Sequence, residues 1–203
     1  MRYEPQIGKS APNFLTVGVF QNKLGKIRLS DYRGKKYVIL VFYPANFTSV
    51  SSTELIEFSN RIQEFKKLST QILAVSIDSP FSHLRCLLSS REEGGLYDLK
   101  YPLVSDLTKT ITNDYNLLTD NGMSFPGLFI IDKEGVIQYY TVNNLLCGRS
   151  IKEILRILKC IQYVKQYPGQ VCPADWKYGD KLLYSHPLRS RIYFREIYSS
   201  EKL

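Results

Sequence analysis

Apolar residues along the chain fall into two kinds of pattern. Short unbroken runs, Tyr37 to Phe42, Gln71 to Ile77 and Gly127 to Asp132, are rich in β-branched and aromatic residues. That is the composition of strands covered on both faces. Elsewhere apolar positions recur every three or four residues. Leu55, Phe58, Ile62 and Phe65 form one stripe, and Ile151, Ile154, Leu155 and Leu158 another, as on amphipathic helices. The first stripe predicts a helix starting at Ser51 or Ser52, because Ser51-x-x-Glu54 has capping-box spacing, and ending near Leu68. Ser79 followed by Pro80 predicts an N-cap and a helix to about Arg91, stopped before Gly94-Gly95. A hairpin-like region ending at Lys26 to Leu29, then a loop from Ser30 to Lys35, precede the first buried strand. Leu103-Val104 reads as a short strand and Thr108 to Tyr115 as a short helix. Lys133-Glu134-Gly135 reads as a turn joining Gly127–Asp132 to a partner strand Val136–Thr141. The last long helix runs from about Ser150 to Tyr167.

Strands alternating with helices, closed by a late hairpin, predict an α/β fold with a mixed central sheet flanked by helices. From Pro168 the chain turns polar and is punctuated by Pro and Gly, which reads as a C-terminal arm. The expected division is 1–167 for the domain and 168–203 for the arm. A chain of 203 residues suffices for one such domain.

Charge changes little. The net +8 is spread out, with Lys35-Lys36 and Lys66-Lys67 the longest basic runs, and no nucleic-acid signature interleaves aromatics with it. No apolar run approaches the ~20 residues of a membrane helix. The N-terminus shows neither a signal core nor a transit segment, so the expectation is a protein that stays where it is made. The four cysteines, Cys86, Cys147, Cys160 and Cys172, match no zinc spacing, and with two histidines no metal site or other cofactor is expected. Reduced thiols in an intracellular protein are the default. Cys160 is expected to face the core and Cys147 to lie in a loop.

Candidate chemistry concentrates where the first buried strand meets the first helix, in Phe42-Tyr43-Pro44-Ala45-Asn46-Phe47-Thr48-Ser49-Val50-Ser51-Ser52-Thr53-Glu54. Free N–H groups at such a junction favour negative charge. This stretch resembles the active-site motif of the typical two-cysteine peroxiredoxins. The resemblance extends through Val75-Ser76-Ile77-Asp78-Ser79, His83-Leu84, Gly94-Gly95-Leu96, Tyr101-Pro102-Leu103, Gly127 to Asp132, Thr141-Val142-Asn143, Gly148-Arg149-Ser150, Val171-Cys172-Pro173-Ala174 and Tyr193-Phe194. Within the family the chain is most similar to plastid-encoded peroxiredoxin-like proteins of red algae. The resemblance implies a thioredoxin-like fold, thioredoxin-dependent reduction of hydrogen peroxide and organic hydroperoxides, and homodimers or rings of dimers. It also suggests a plastid (chloroplast stroma) location, the alternative being cytoplasmic.

Residue by residue, the resemblance implies that Pro44 shields the nucleophile, Thr48 hydrogen-bonds the peroxide and Cys172 stands at the resolving-cysteine position. Two central positions depart from it. Ser51 occupies the peroxidatic cysteine position, and Pro126 the position of the catalytic arginine. Glu54, which in the family helps hold that arginine, is expected to be left without it, while Arg149, the second family arginine, is retained. A hydroxyl is not ionised near neutral pH and cannot cycle through a sulfenic state, which is the first product of a thiolate attacking a peroxide. The bland role for Ser51 is a helix N-cap. Three readings follow: a family member that has lost peroxidase activity and serves as a binding or structural partner, an active thiol peroxidase, or a redox sensor acting through Cys172.

Overall fold

The computed structural model describes residues 5–199. The chain divides into two compact units, Met1–Ile151 and Lys152–Leu203.

The first unit is built on a seven-stranded sheet. Its strands are β1 (Leu15–Phe20), β2 (Lys23–Arg28), β3 (Tyr37–Phe42), β4 (Thr70–Ser76), β5 (Leu103–Ser105), β6 (Gly127–Ile131) and β7 (Ile137–Val142). Their order is β2-β1-β5-β4-β3-β6-β7. β3, β4 and β5 run parallel, and β1, β6 and β7 join antiparallel to their neighbours. The mixed sheet and its helices, α1 (Ser49–Asn60), α2 (Ile62–Lys67), α3 (Pro80–Leu88) and α4 (Thr110–Asp114), form the α/β thioredoxin-like architecture expected.

Every residue of β3 is buried, as its unbroken apolar run requires. Alternate side chains Val38, Leu40 and Phe42 enter a core shared with Leu73, Val75, Val104, Phe129 and Ile131. Phe42, Tyr115 and Phe129 meet there with ring centroids 4.8–5.9 Å apart. The helical stripe Leu55, Phe58, Ile62 and Phe65 is buried in turn. The turn between β6 and β7 forms as predicted. Asp132 Oδ1 accepts the Glu134 and Val136 N–H groups at 3.0 and 2.9 Å, and Gly135 takes the left-handed φ of 83° that favours glycine.

Several boundaries differ from expectation. Residues 29–32 form a 3-10 turn at the head of the predicted loop. The first helix begins at Ser49, not at Ser51 or Ser52, and divides at Arg61, whose φ −97° and ψ 12° leave helical geometry. α3 ends at Leu88, before Arg91. The second unit takes in α5 (Ile151–Gln166) beyond its first residue, besides the expected arm. That arm is not structureless: β8 (Gln170–Val171) and β9 (Leu183–Tyr184) pair antiparallel, and α6 (Pro187–Tyr198) follows with Pro at its start.

Candidate functional site

The site is built at the end of β3. After Phe42 the chain turns through a buried Tyr43 and Pro44, and Tyr43 N–H still bonds Val75 O of β4 at 3.1 Å. Phe47 then adopts φ 59°, a left-handed conformation uncommon for a bulky residue. The reversal sets Thr48 at the N-cap of α1. The Thr48 hydroxyl donates to Ala45 O at 2.7 Å, closing the loop on itself and leaving its oxygen able to accept.

This geometry corrects the capping reading of Ser51. Ser51 is the third residue inside α1, buried at 6% exposure, and Thr48 holds the N-cap position without a side-chain bond to the helix. Ser52, also inside the first turn, donates to Gly94 O at 2.9 Å, which ties the helix start to the segment after α3. Glu54 does not reach back as a capping box would, because its carboxylate is engaged by Arg149.

Glu54, without an arginine at position 126, pairs with the retained Arg149. Arg149 Nε donates to Glu54 Oε1 at 2.9 Å and Nη2 to Oε2 at 2.5 Å, a bidentate pair with side chains only 2% and 4% exposed. The Arg149 backbone N–H adds a third bond to Oε1 at 2.5 Å. The remaining donors go to Gly127 O at 2.7 Å and Phe42 O at 3.4 Å. One guanidinium therefore joins the end of β3, the start of β6, α1 and the loop before α5. Pro126, buried and adjacent to Gly127, adds neither charge nor a backbone donor there. Pro44, Thr48, Ser51, Glu54, Pro126 and Arg149 all lie in the first unit, whereas Cys172 lies in the second.

A buried polar cluster holding the loop was not foreseen. Asn46 N–H donates to Asp78 Oδ2 at 2.8 Å, and its side-chain amide donates to Ser82 Oγ at 3.0 Å. Tyr43 donates to Asn46 Oδ1 at 2.9 Å, and His83 Nδ1 lies 3.2 Å from the same oxygen. Ser76 and Ser82 hydroxyls donate to the Asp78 carboxylate. Ser79 caps α3 as predicted, accepting from Ser82 N at 3.1 Å. The signal available was a lone Asn in an apolar loop and an Asp beside a cap, which define no pair by themselves. Burial lowers the His83 pKa, against the opposing pull of Asp78 and the Val104 carbonyl, so the ring is held neutral.

The thiols are dispersed. Cys86 is fully buried on α3, and burial pushes it up to about 11 even though the Phe47 backbone bonds it, so it is not a thiolate. Cys147 is exposed. Cys160 is half-buried rather than set in the core, because its α5 face meets the arm of its own unit.

The comparisons agree with this architecture. The AhpC/TSA family pattern matches residues 7–140, and that of the C-terminal domain of 1-Cys peroxiredoxin matches residues 161–187. The chain belongs to the AhpC/TSA peroxiredoxin family. It is 71% identical to a protein of Trieres chinensis bearing the peroxiredoxin name ycf42, over 98% of this chain and 97% of the other. It is 52% identical to the chloroplastic 2-cysteine peroxiredoxin of Chattonella marina var. antiqua, over 95% and 98%. The crystal structure of reduced Plasmodium vivax 2-Cys peroxiredoxin superposes with a TM-score of 0.85 at 40% identity, covering 87% of this chain and 92% of that one.

Two outcomes test the site's construction. Glu54→Ala leaves the Arg149 charge buried and should destabilise the protein by roughly 3–5 kcal/mol in urea unfolding, whereas Glu54→Leu with Arg149→Met should lose less. Because His83 takes a proton less readily folded than unfolded, its contribution to stability is full above its ordinary pKa of about 6.5 and falls as pH drops below it. His83→Gln should flatten that acid-side decline by at most about 1.4 kcal/mol per pH unit, measured as unfolding free energy against pH.

Proposed function

We propose that this chain is a peroxiredoxin-family protein that has lost the family's thiol peroxidase chemistry and acts as a non-catalytic partner. The observation that carries the reading is Ser51, an oxygen where the reaction needs sulfur, in a frame otherwise kept. Thiolate attack on the O–O bond gives a sulfenic acid, which a second thiol resolves to a disulfide. Serine enters neither step. Pro44 and Thr48 keep the shielding and peroxide-contacting positions. Pro126 replaces the arginine that would stabilise the thiolate and the peroxide. Arg149 does not substitute for it, since its donors are taken by Glu54, Gly127 O and Phe42 O. Cys172, at the resolving position, then has no sulfenic acid to meet.

The partner role is supported by the sheet. β7 is an edge strand; Ile137 at its start bonds Gly8 and Lys9, and beyond it the outward N–H and C=O groups offer the edge-to-edge pairing through which a homodimer, and from it a ring of dimers, would form. An inactive subunit assembling with active relatives would bring them no second reductant requirement. A location in the plastid stroma is supported by the chloroplastic relative.

The test is turnover. Purified protein mixed with hydrogen peroxide, thioredoxin, thioredoxin reductase and NADPH should consume NADPH at the rate of the mixture without it. Consumption above that rate, lost on replacing one of the four cysteines, would overturn the reading and make the chain an active peroxidase with a thioredoxin-type reductant.

A further inference from the structure

The first unit carries a pocket for which the function proposed above has no use. It lies toward the starts of the parallel strands. β1 pairs with the head of β5 at Val19 and Leu103 and runs on through Phe20 into its turn with β2, while Lys66 stands at the end of α2, shortly before β4. The candidate site stands at the opposite end, where β3 finishes. The pocket encloses about 330 Å³, within the range of ~300–1,000 Å³ typical of small-molecule sites. Leu87 of α3 and Leu99, both buried, supply its apolar base. Phe20 and Tyr97 line it as well and are 37% and 60% exposed. Neither ring is paired with another aromatic ring among the described residues.

Both walls are set before any ligand arrives. Gln21 and Asn22 take φ 49° and 59°, the two left-handed conformations of a tight turn that fits the twist of the β1–β2 hairpin. The segment from Tyr97 to Lys100 is tied down along its length. Tyr97 N–H donates to Ser89 O at 3.2 Å, Leu99 N–H to Leu96 O at 3.1 Å and Lys100 N–H to Ser59 Oγ at 3.1 Å, while Arg91 Nε donates to Tyr97 O at 3.3 Å. A pocket held this way spends little of its binding free energy on ordering loops. Its charges do not cancel. Asp98 pairs with Lys100. Lys66 has no side-chain partner among the described residues and leaves one positive charge over, beside the equally unpartnered amides of Gln21 and Asn22. We propose that this pocket binds a small aromatic carboxylate of one or two rings. The ring lies on Leu87, Leu99, Phe20 and Tyr97, the carboxylate meets Lys66, and the amides of the β1–β2 turn donate to its remaining lone pairs. An uncharged aromatic leaves Lys66 unmatched. A small aliphatic or inorganic anion leaves the apolar lining unused.

The proposal does not depend on loss of peroxidase activity, and no peroxide enters its test. Full-length protein is titrated with indole-3-acetate, and binding is followed by saturation-transfer NMR on the ligand. Saturable transfer with a dissociation constant on the order of 1 mM is expected for a probe of this size in an open pocket. Indole-3-acetamide, the same ring without the charge, should bind about fivefold more weakly, and acetate should not compete. Lys66→Ala should weaken indole-3-acetate by about fivefold, the scale of one solvent-exposed ion pair, and leave indole-3-acetamide unchanged. Tyr97→Ala should weaken both. Lys66 and Tyr97 are exposed, so neither variant removes a core contact. Thr48→Val, at the other end of the strands, should leave binding as it is. No saturable transfer, equal affinity for acid and amide, indifference to Lys66→Ala, or loss of binding in Thr48→Val would each overturn the proposal.

Discussion

The buried Glu54–Arg149 pair is the constraint on which this end of the fold depends. Its two charges are removed from water, and only good geometry with further hydrogen bonds makes that tolerable. The pair meets both demands: a bidentate contact, a backbone N–H on the carboxylate, and carbonyls from β3 and β6 on the guanidinium. Such a pair adds little net stability over an apolar substitute of the same shape. It does impose position, because any shift of α1 against β3 or β6 leaves a buried charge or carbonyl unmatched. The start of α1 is therefore held where a reacting group would have to stand.

The same constraint holds the frame whichever side chain stands at position 51. The loop Pro44–Thr48 is fixed from one side by α1 and from the other by the cluster of Asn46, Asp78, Ser82 and His83, all of which hydrogen-bond one another or the loop backbone. None of these bonds involves the side chain of residue 51 or 126. The supports of the loop are therefore independent of which residues stand at positions 51 and 126. On the function proposed, scaffold and reactivity rest on different residues, so one can be lost while the other is kept.

Much of this was legible in the sequence. The doubly buried strands announced themselves as unbroken β-branched runs, and Leu55, Phe58, Ile62 and Phe65 lie buried as their spacing required. The N-cap of α3 at Ser79 followed from its chemistry. The start of α1 was misplaced because the chain reverses through a left-handed Phe47, and no local rule calls for that conformation at a phenylalanine. The pairing of Glu54 with Arg149 was not foreseen, because the two are 95 residues apart and periodicity carries no such distance. α6 was hidden by its composition, since Leu188, Ile192 and Phe194 are exposed and no buried stripe marks the helix.

On the function proposed, the site is a sound frame lacking two reacting groups. The most direct measurement is the rate of sulfenic acid formation with hydrogen peroxide in Ser51→Cys alone and in Ser51→Cys with Pro126→Arg. The single variant should react about as slowly as an unactivated cysteine, and the double variant should be faster by about a hundredfold, the scale of one positioned charge-stabilising donor. Full family-like reactivity in the single variant, or no gain from the added arginine, would contradict it.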